Sequence, residues 1–461
     1  MSISLIGING SAIATDANPI PVQLTSAAKN HITFSPEDTM VDSFSRLRVS
    51  EPRVAFEYTF GAQTPTLAST IWESTAYGAG TEALTTNLYG VTLSTTVATA
   101  TGRWLQSYNH VRYAPGISTI FRGTFNLITP AAANLRQRIG MFTDQGTFPS
   151  TAGDGLFFEN DSGVFSVVRR YMTQGAAGTE ERVNRSNWNM DKLDGTGTSG
   201  VTLDFTKAQH LVIEFQWLGV GTIRFGFETS VGLVWAHKMV SVNAVAESWS
   251  RTGSLPVRAE CYNYGASTIN NMTLINTCII QEGDVADIRG WKYFGATSGT
   301  TAKVGGTAAG LFPVLGIKAA TTNDLTKRAR IIPHMVTITV AVVGTGTTSL
   351  QCALLMNGTP ATGATFAVTT AGSTAVVDNA ATATTAITGT AIWNAVIPNI
   401  IGSYTFDLST LNDNMNVIGY NAAGTVAITG PANLYLAVGT LTGTTTVAAT
   451  VAASINWKEL F

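Results

Sequence analysis

Cleavage of a glycosidic bond needs two carboxylates flanking it, so closely spaced acidic pairs are the first chemistry to test. Asp191 with Asp194 and Asp284 with Asp287 have short spacings. Both pairs lie in polar stretches beside glycines, where aspartate ordinarily closes a turn by accepting backbone hydrogen bonds. They read as turn residues, and no catalytic residue is assigned. Asp191, Asp194 and Asp204 could offer oxygens to a calcium ion, but their spacing is not that of a calcium loop, so no metal site is assigned. His31, His110, His210, His237 and His334 form no HExxH or i,i+4 pair. Cys261, Cys278 and Cys352 form no CxxC and read as small buried hydrophobes, at least one of them unpaired within the chain. The phosphate-cradling P-loop, a helix-opening G-x-G-x-x-G and the G-x-S-x-G nucleophile elbow are all missing, so no cofactor is expected. The sequence reads as non-enzymatic.

Aromatic side chains offer binding in place of catalysis. Trp104, Tyr108, His110 and Tyr113 fall close together, and Trp72, Tyr77 and Trp188 lie in stretches read as loops. Aromatic faces beside amides suit a sugar surface, while core packing is the competing reading. Trp104, Tyr108, Tyr113 and Trp188 are the candidate surface-binding aromatics.

Only 12% of the 461 residues are charged, about half the roughly 25% of typical soluble domains. The 27 basic and 29 acidic residues leave a net charge of -2, with no cationic surplus for a phosphate backbone, so no nucleic-acid partner is expected. No stretch is long and apolar enough for a spanning helix, and membrane insertion is not expected. The start, MSISLIGINGSAIA, lacks a basic region ahead of an apolar run and does not read as a signal peptide.

The elements that must position any site are strands. Leu211, Ile213, Phe215 and Trp217 alternate with polar or opposite-facing residues, Leu218 to Gly221 turns the chain, and Ile223, Phe225 and Phe227 alternate again. Period two on both sides of a glycine turn predicts an antiparallel hairpin with one apolar and one polar face. A second hairpin is predicted from Leu156–Phe158 through Asn160-Asp161-Ser162-Gly163 to Val164–Val168, and Ile120, Phe121 and Phe125 mark another strand. Ala132 to Gln137 reads as a short helical turn. The resulting fold class is all-β: an extended N-terminal arm over 1–52, a central antiparallel β-sandwich or jelly roll over 53–290, a glycine-rich linker over 291–330, and a second β-sandwich over 331–461.

Beyond residue 330 the composition changes. Only Lys458 is basic, so 26 of the 27 basic residues precede that point, and the acidic residues are Asp378, Asp407, Asp413 and Glu459. Strand alternation persists in Val336, Ile338, Val340 and Val342, in Leu350, Cys352, Leu354 and Met356, and in Val447, Ala449, Val451 and Ala453. Sheet edges without charged gatekeepers invite pairing, which predicts that copies of the chain cover one another. Hydration of threonine-rich faces is the competing reading.

The segment Val41-Asp42-Ser43-Phe44-Ser45-Arg46-Leu47-Arg48-Val49-Ser50-Glu51-Pro52 resembles the "DAFGRLRVSEP" signature near the N-terminus of structural proteins of tailed bacteriophages. Trp188 to Gly197 with Ser199 to Asp204, Trp217 to Gly221 with Arg224-Phe225-Gly226-Phe227, and Leu255-Pro256-Val257-Arg258 resemble the same group in the same order, together spanning about 40–265. The resemblance implies a virion protein assembled in the host cytoplasm. A homo-oligomer, expected as a trimer, would serve as an appendage, a collar or neck fibre, or a decoration protein. Its partners would be itself and other proteins of head, neck or tail. Arg46 and Arg48, on one side of an extended stretch, and Glu51 form the candidate assembly interface, with Pro52 expected to end that stretch. The alternatives are a receptor-binding fibre or spike that contacts a host surface glycan, and, behind it, a polysaccharide depolymerase.

Overall fold

The computed structural model describes residues 41–43, 48, 51–62, 71–85, 89–111, 113–144, 152–172, 178–265, 269–283, 291–298, 302–304, 310–319, 330–343, 349–359, 366–367, 373, 375–378, 386–408, 433–440 and 449–460. Residues 1–40 of the expected arm lie outside them, as do Arg46, Asp284, Asp287, Asp413 and Val447. The described regular structure is strand, apart from two 3-10 turns at Phe60–Ala62 and Arg185–Asn187. No helix among the described residues is long and apolar enough to cross a membrane.

The first strands in chain order are β1 (Pro52–Thr59), β2 (Trp72–Tyr77), β3 (Thr81–Thr85), β4 (Gly90–Ser94), β5 (Thr101–Val111), β6 (Ser118–Asn126), β7 (Leu135–Phe142) and β8 (Gly155–Asp161). They continue with β9 (Val164–Tyr171), β10 (Thr179–Asn184), β11 (Gln209–Phe215), β12 (Ile223–Thr229), β13 (Gly232–Met239), β14 (Leu255–Asn263) and β15 (Asn271–Glu282). These fifteen build two antiparallel sheets. An eight-stranded sheet runs β13-β12-β11-β6-β15-β4-β3 with β1 also on β15, and a seven-stranded sheet runs β10-β9-β8-β7-β14-β5-β2.

Both predicted hairpins form. Asp161 faces Val164 across Ser162 and Gly163, whose φ values of 53° and 88° are those of a tight turn with both central residues left-handed. Phe215 faces Ile223 across the Leu218–Gly221 turn, closed by the Gly221 amide donating to the Trp217 carbonyl at 2.7 Å. The expected helical turn is replaced by strand from Leu135 onward, because Leu135, Ile139 and Met141 alternate into the core. Pro52 opens β1 instead of ending a strand, which suits a residue with fixed φ and no N–H to contribute to a ladder.

Phe125 and Phe227 of the eight-stranded sheet meet Phe158 of the other at 5.6 and 5.5 Å, and Phe205 stacks on Phe165 at 4.0 Å. That aromatic layer lies inside one continuous apolar cluster between the sheets. Each such ring contributes about 2–3 kcal/mol by leaving water.

The remaining strands are β16 (Trp291–Thr297), β17 (Ala302–Val304), β18 (Leu311–Ala319), β19 (Arg330–Val342), β20 (Ser349–Thr359), β21 (Ala375–Asp378), β22 (Thr388–Pro398), β23 (Gly402–Asp407), β24 (Leu434–Thr440) and β25 (Ala449–Leu460). One five-stranded sheet runs β16-β25-β19-β23 with β17 on β25, and the other runs β21-β18-β24-β20-β22. Residues 291–330, expected as a linker, thus supply three strands. Leu311 to Ile317 is a short apolar run, buried almost throughout, which the neighbouring glycines obscured in the sequence.

This half places little charge on its surface. Glu459 and Asp378 are 0% and 2% exposed, the first accepting from Trp457 Nε1 at 2.7 Å and the second from the Tyr435 hydroxyl at 3.3 Å. Instead, hydroxyl pairs cross between β19 and β23, Thr337 with Thr405 at 3.0 Å and Thr339 with Ser403 at 2.8 Å, on an exposed face.

Phe158→Ala removes the ring that joins both sheets of the first sandwich. It should cost about 3–5 kcal/mol, read as a lower urea midpoint of the transition reported by the fluorescence of Trp188 and Trp249.

Candidate functional site

Around Glu214 and Arg224 the predicted polar face of the β11–β12 hairpin is closed to water, although Glu228 on the same face is exposed. Glu214 and Arg224 stand directly opposite each other and are 0% and 1% exposed. The segment containing Val41 and Ser43, with Arg48, lies against them. Glu214 Oε2 accepts from Arg224 Nη2 at 2.5 Å and from Arg48 Nη2 at 2.7 Å. Its Oε1 accepts from the Ser43 amide at 2.8 Å and the Ser118 hydroxyl at 2.9 Å. Arg48 also donates to Glu282 and, through Nε at 3.2 Å, to the Val41 carbonyl, which takes a further bond from Arg224 at 2.8 Å. The Arg224 guanidinium lies 4.5 Å from the Trp235 ring centre. One carboxylate therefore ties the chain entering the fold to two strands of the eight-stranded sheet, through charge-assisted bonds of the stronger kind.

These are contacts within one chain. Arg48, expected at an interface between chains, is bound to its own sheet, while Glu51 is exposed. The sequence carried a signal for Glu214 and Arg224: counting back from the Leu218–Gly221 turn puts the two opposite each other.

A second charge network covers the outward face of the seven-stranded sheet. The register aligns Gln106, Arg258, Gly140, Phe157 and Val168 in one cross-strand row, and Trp104, Glu260, Arg138, Glu159 and Ser166 in the next. Arg138 Nε donates to Glu159 at 2.7 Å, and Arg258 Nε donates to Glu260 at 2.6 Å. Arg170 Nη2 donates to Glu180 at 2.7 Å, and Arg182 Nε to Glu159 at 2.5 Å. Gly140 leaves room here, since a Cβ on it would lie 2.9 Å from the Phe157 Cβ. Arg138 and Arg170 each sit 5.0 Å from the Phe157 ring centre, and Arg258 sits 4.3 Å from Trp104.

Burial pushes the Glu159 carboxyl up, but Arg138 and Arg182 outweigh it and hold the group at about 2. Glu180 is lowered in the same way, burial being overcome by Arg138 and Arg170. Asp144 goes the other way, raised by burial beyond what Arg258 offsets. Glu159 and Glu180, held ionised against guanidiniums, are poor proton donors at neutral pH. The network cross-links strands.

Of the aspartates read as turn residues, the described pair Asp191 and Asp194 do that work, and Asp204, weighed as a calcium ligand, does the same. Asp191 accepts from the Leu193 amide at 2.7 Å and the Ser199 amide at 2.8 Å, and it is buried. Asp194 and Asp204 accept from the Thr196 and Thr206 amides at 2.9 and 3.0 Å. Among the described residues no three His, Cys, Asp or Glu side chains gather as a metal site.

The candidate surface aromatics are corrected. Trp104, Tyr113 and Trp188 are 2%, 8% and 3% exposed. Trp104 lies under Arg258, Tyr113 packs edge-on against Trp217 at 5.5 Å, and Trp188 donates to the Val183 carbonyl at 3.1 Å. Large rings gain more from burial than from solvent. The Tyr108 side chain is outside the described set. Cys261, Cys278 and Cys352 are free thiols; burial pushes all three up, Cys352 to about 12.

No protein-family model matches the chain, and no curated protein matches it. Among solved structures it is similar to an endo-β-1,4-glucuronan lyase from the fungus Trichoderma reesei, at 9% identity and a TM-score of 0.35, over 51% of this chain and 98% of that one. It is also similar to an endo-1,3-β-glucanase from Streptomyces sioyaensis, at 11% identity and a TM-score of 0.35, over 50% and 97%. A third is the carbohydrate recognition domain of Emp47p, at 10% identity and a TM-score of 0.32, over 50% and 96%.

Two outcomes test the networks. Glu214→Ala strands Arg224 without its carboxylate and should cost about 3–5 kcal/mol, whereas Arg48→Ala, at a half-buried site, should cost less and speed amide exchange at Val41 to Ser43. Because the folded Glu159 carboxyl is held at about 2 against an ordinary 4.5, its stabilisation is complete above pH ~4.5 and is lost as pH falls towards ~2. Asp144, being raised, acts in the opposite sense. Urea midpoints from pH 6 to 2 should therefore fall less steeply in Glu159→Gln than in the parent chain.

Proposed function

We propose that this chain is a non-enzymatic structural component of a tailed-phage virion. It is a homo-oligomeric, trimeric appendage, collar or neck fibre, or decoration protein, anchored by its N-terminal arm after assembly in the host cytoplasm. The observation that carries this reading is the fixing of Arg48 within the signature segment. An arm that docks on a particle must pass load to the body it holds, and Arg48 bonds Glu214 and Glu282 on two different strands. Such a root would keep the arm's exit fixed while the preceding residues engage a head, neck or tail protein.

Self-association is supported by an aliphatic corner of the second sandwich. Val340 faces Gly402, so Val342 and Ile400 each lie two residues beyond the last pair of β19 and β23. Val342, Val343, Val396, Ile400 and Ile401 are 53%, 42%, 57%, 57% and 73% exposed. Large exposed aliphatics grouped without charge mark a surface that a partner covers, and an identical copy brings no unpaired charge to it. The reading includes no catalytic step, cofactor or nucleic-acid partner.

Deleting residues 1–40 should abolish incorporation into particles while light scattering still reports a folded oligomer. Antibody-labelled full-length copies should appear at fixed positions on intact virions in electron micrographs. Normal incorporation of the truncated chain would refute the arm's role. A monomer at high concentration in the same measurement would refute self-association.

A further inference from the structure

Beyond an assembly role, one end of the outward face of the seven-stranded sheet carries a tyrosine cluster. Tyr77 on β2 faces Gly102 on β5, which faces Tyr262 on β14, then Arg136 on β7 and Asp161 on β8. At about 4.8 Å per strand, this row spans about 19 Å. Gly102 puts no side chain between the tyrosines, and their rings close over it to 5.9 Å. Tyr264, just past β14, continues the surface 6.3 Å from Tyr262 and is 40% exposed.

The polar groups lie at the edge of these rings. The Tyr264 hydroxyl donates to Asp161 at 2.7 Å and sits 2.8 Å from the Ser162 hydroxyl. Arg136 pairs with Asp161 at 2.9 Å, and its guanidinium is 5.6 Å from the Tyr264 ring centre. Burial raises the Tyr262 and Tyr264 phenols, so both remain neutral donors.

We propose that the Tyr77–Tyr262–Tyr264 patch, with Arg136, Asp161 and Ser162, binds a neutral oligosaccharide. A pyranose ring has an apolar C–H face and a rim of hydroxyls, which fits tyrosine faces bordered by a hydroxyl, a carboxylate and a guanidinium. The charge balance selects the class. Arg136 is offset by Asp161 and by Glu159 at 3.8 Å, leaving no surplus cation for a phosphate or uronate.

The test uses the purified full-length chain on a printed array of neutral hexose oligosaccharides and sialylated or uronate-containing ones. The best neutral probe is then titrated by calorimetry. The expected result is saturable binding of a neutral probe, weakened at least tenfold by Tyr264→Ala and less by Tyr264→Phe. Tyr89→Ala, at an exposed tyrosine apart from the patch, should leave affinity unchanged. Tyr264 lies outside the strand, so this variant carries the test even if Tyr262→Ala unfolds the sheet, and matched melting curves verify its fold. Binding of no neutral probe, binding of acidic probes alone, or unchanged affinity in Tyr264→Ala would each overturn the site. Loss of self-association in Tyr264→Ala with no sugar bound would overturn it too, in favour of a contact between copies. Because the array needs no particles, its outcome is independent of incorporation into virions.

Discussion

Arginine paired with carboxylate inside a covered sheet face is the interaction on which the first sandwich depends. Each of its two sheets buries an apolar face against the other and also carries buried ionic side chains on the outward face. An unpaired charge there would be very costly, whereas a paired and hydrogen-bonded one is tolerated. Glu214 receives four donors, and Glu159 receives Arg138 and Arg182. These contacts add less net stability than an apolar core of the same volume would, but they bind partners in one geometry. A register slip of one residue would separate every pair at once.

The second sandwich meets the same demand with little charge, beyond residue 330 above all. Of its described acidic residues, Asp378 and Glu459 are taken inside, where a hydroxyl and an indole donate to them, while Asp407 at the end of β23 is exposed, and paired threonine and serine hydroxyls wet an outer face. Hydroxyl ladders hydrate a surface without the repulsion that keeps charged edges apart. The proposed self-association would cover the exposed valines and isoleucines near Ile400.

The two halves thus divide the physical work. The first fixes the root of the N-terminal segment through Arg48 and presents a tyrosine surface at the end of a sheet. The second presents exposed aliphatic side chains that the proposed self-association would cover. In the proposed particle component the first half would give a fixed attachment, and many identical copies would raise the effective strength of any weak contact at the tyrosines.

Alternation and turn chemistry made the strands legible: Leu211 to Phe227 and Leu156 to Val168 form the hairpins that their periods and glycines predict. The turn roles of Asp191 and Asp194 were legible for the same reason, since short side chains bond to amides two residues away; Asp204, weighed only as a calcium ligand, closes a turn in the same way. Three things were decided only in the tertiary structure. Period two says that one face of a strand is polar, but not whether another segment covers it, so Glu214 and Arg224 looked solvated. It says that Trp104 and Tyr113 are large, but not which side of the sheet closes over them. The patch joining Tyr77, Tyr262 and Tyr264 draws on strands nearly two hundred residues apart in sequence, and only sheet order sets such strands two places apart. Sequence period is local, whereas burial depends on what lies opposite.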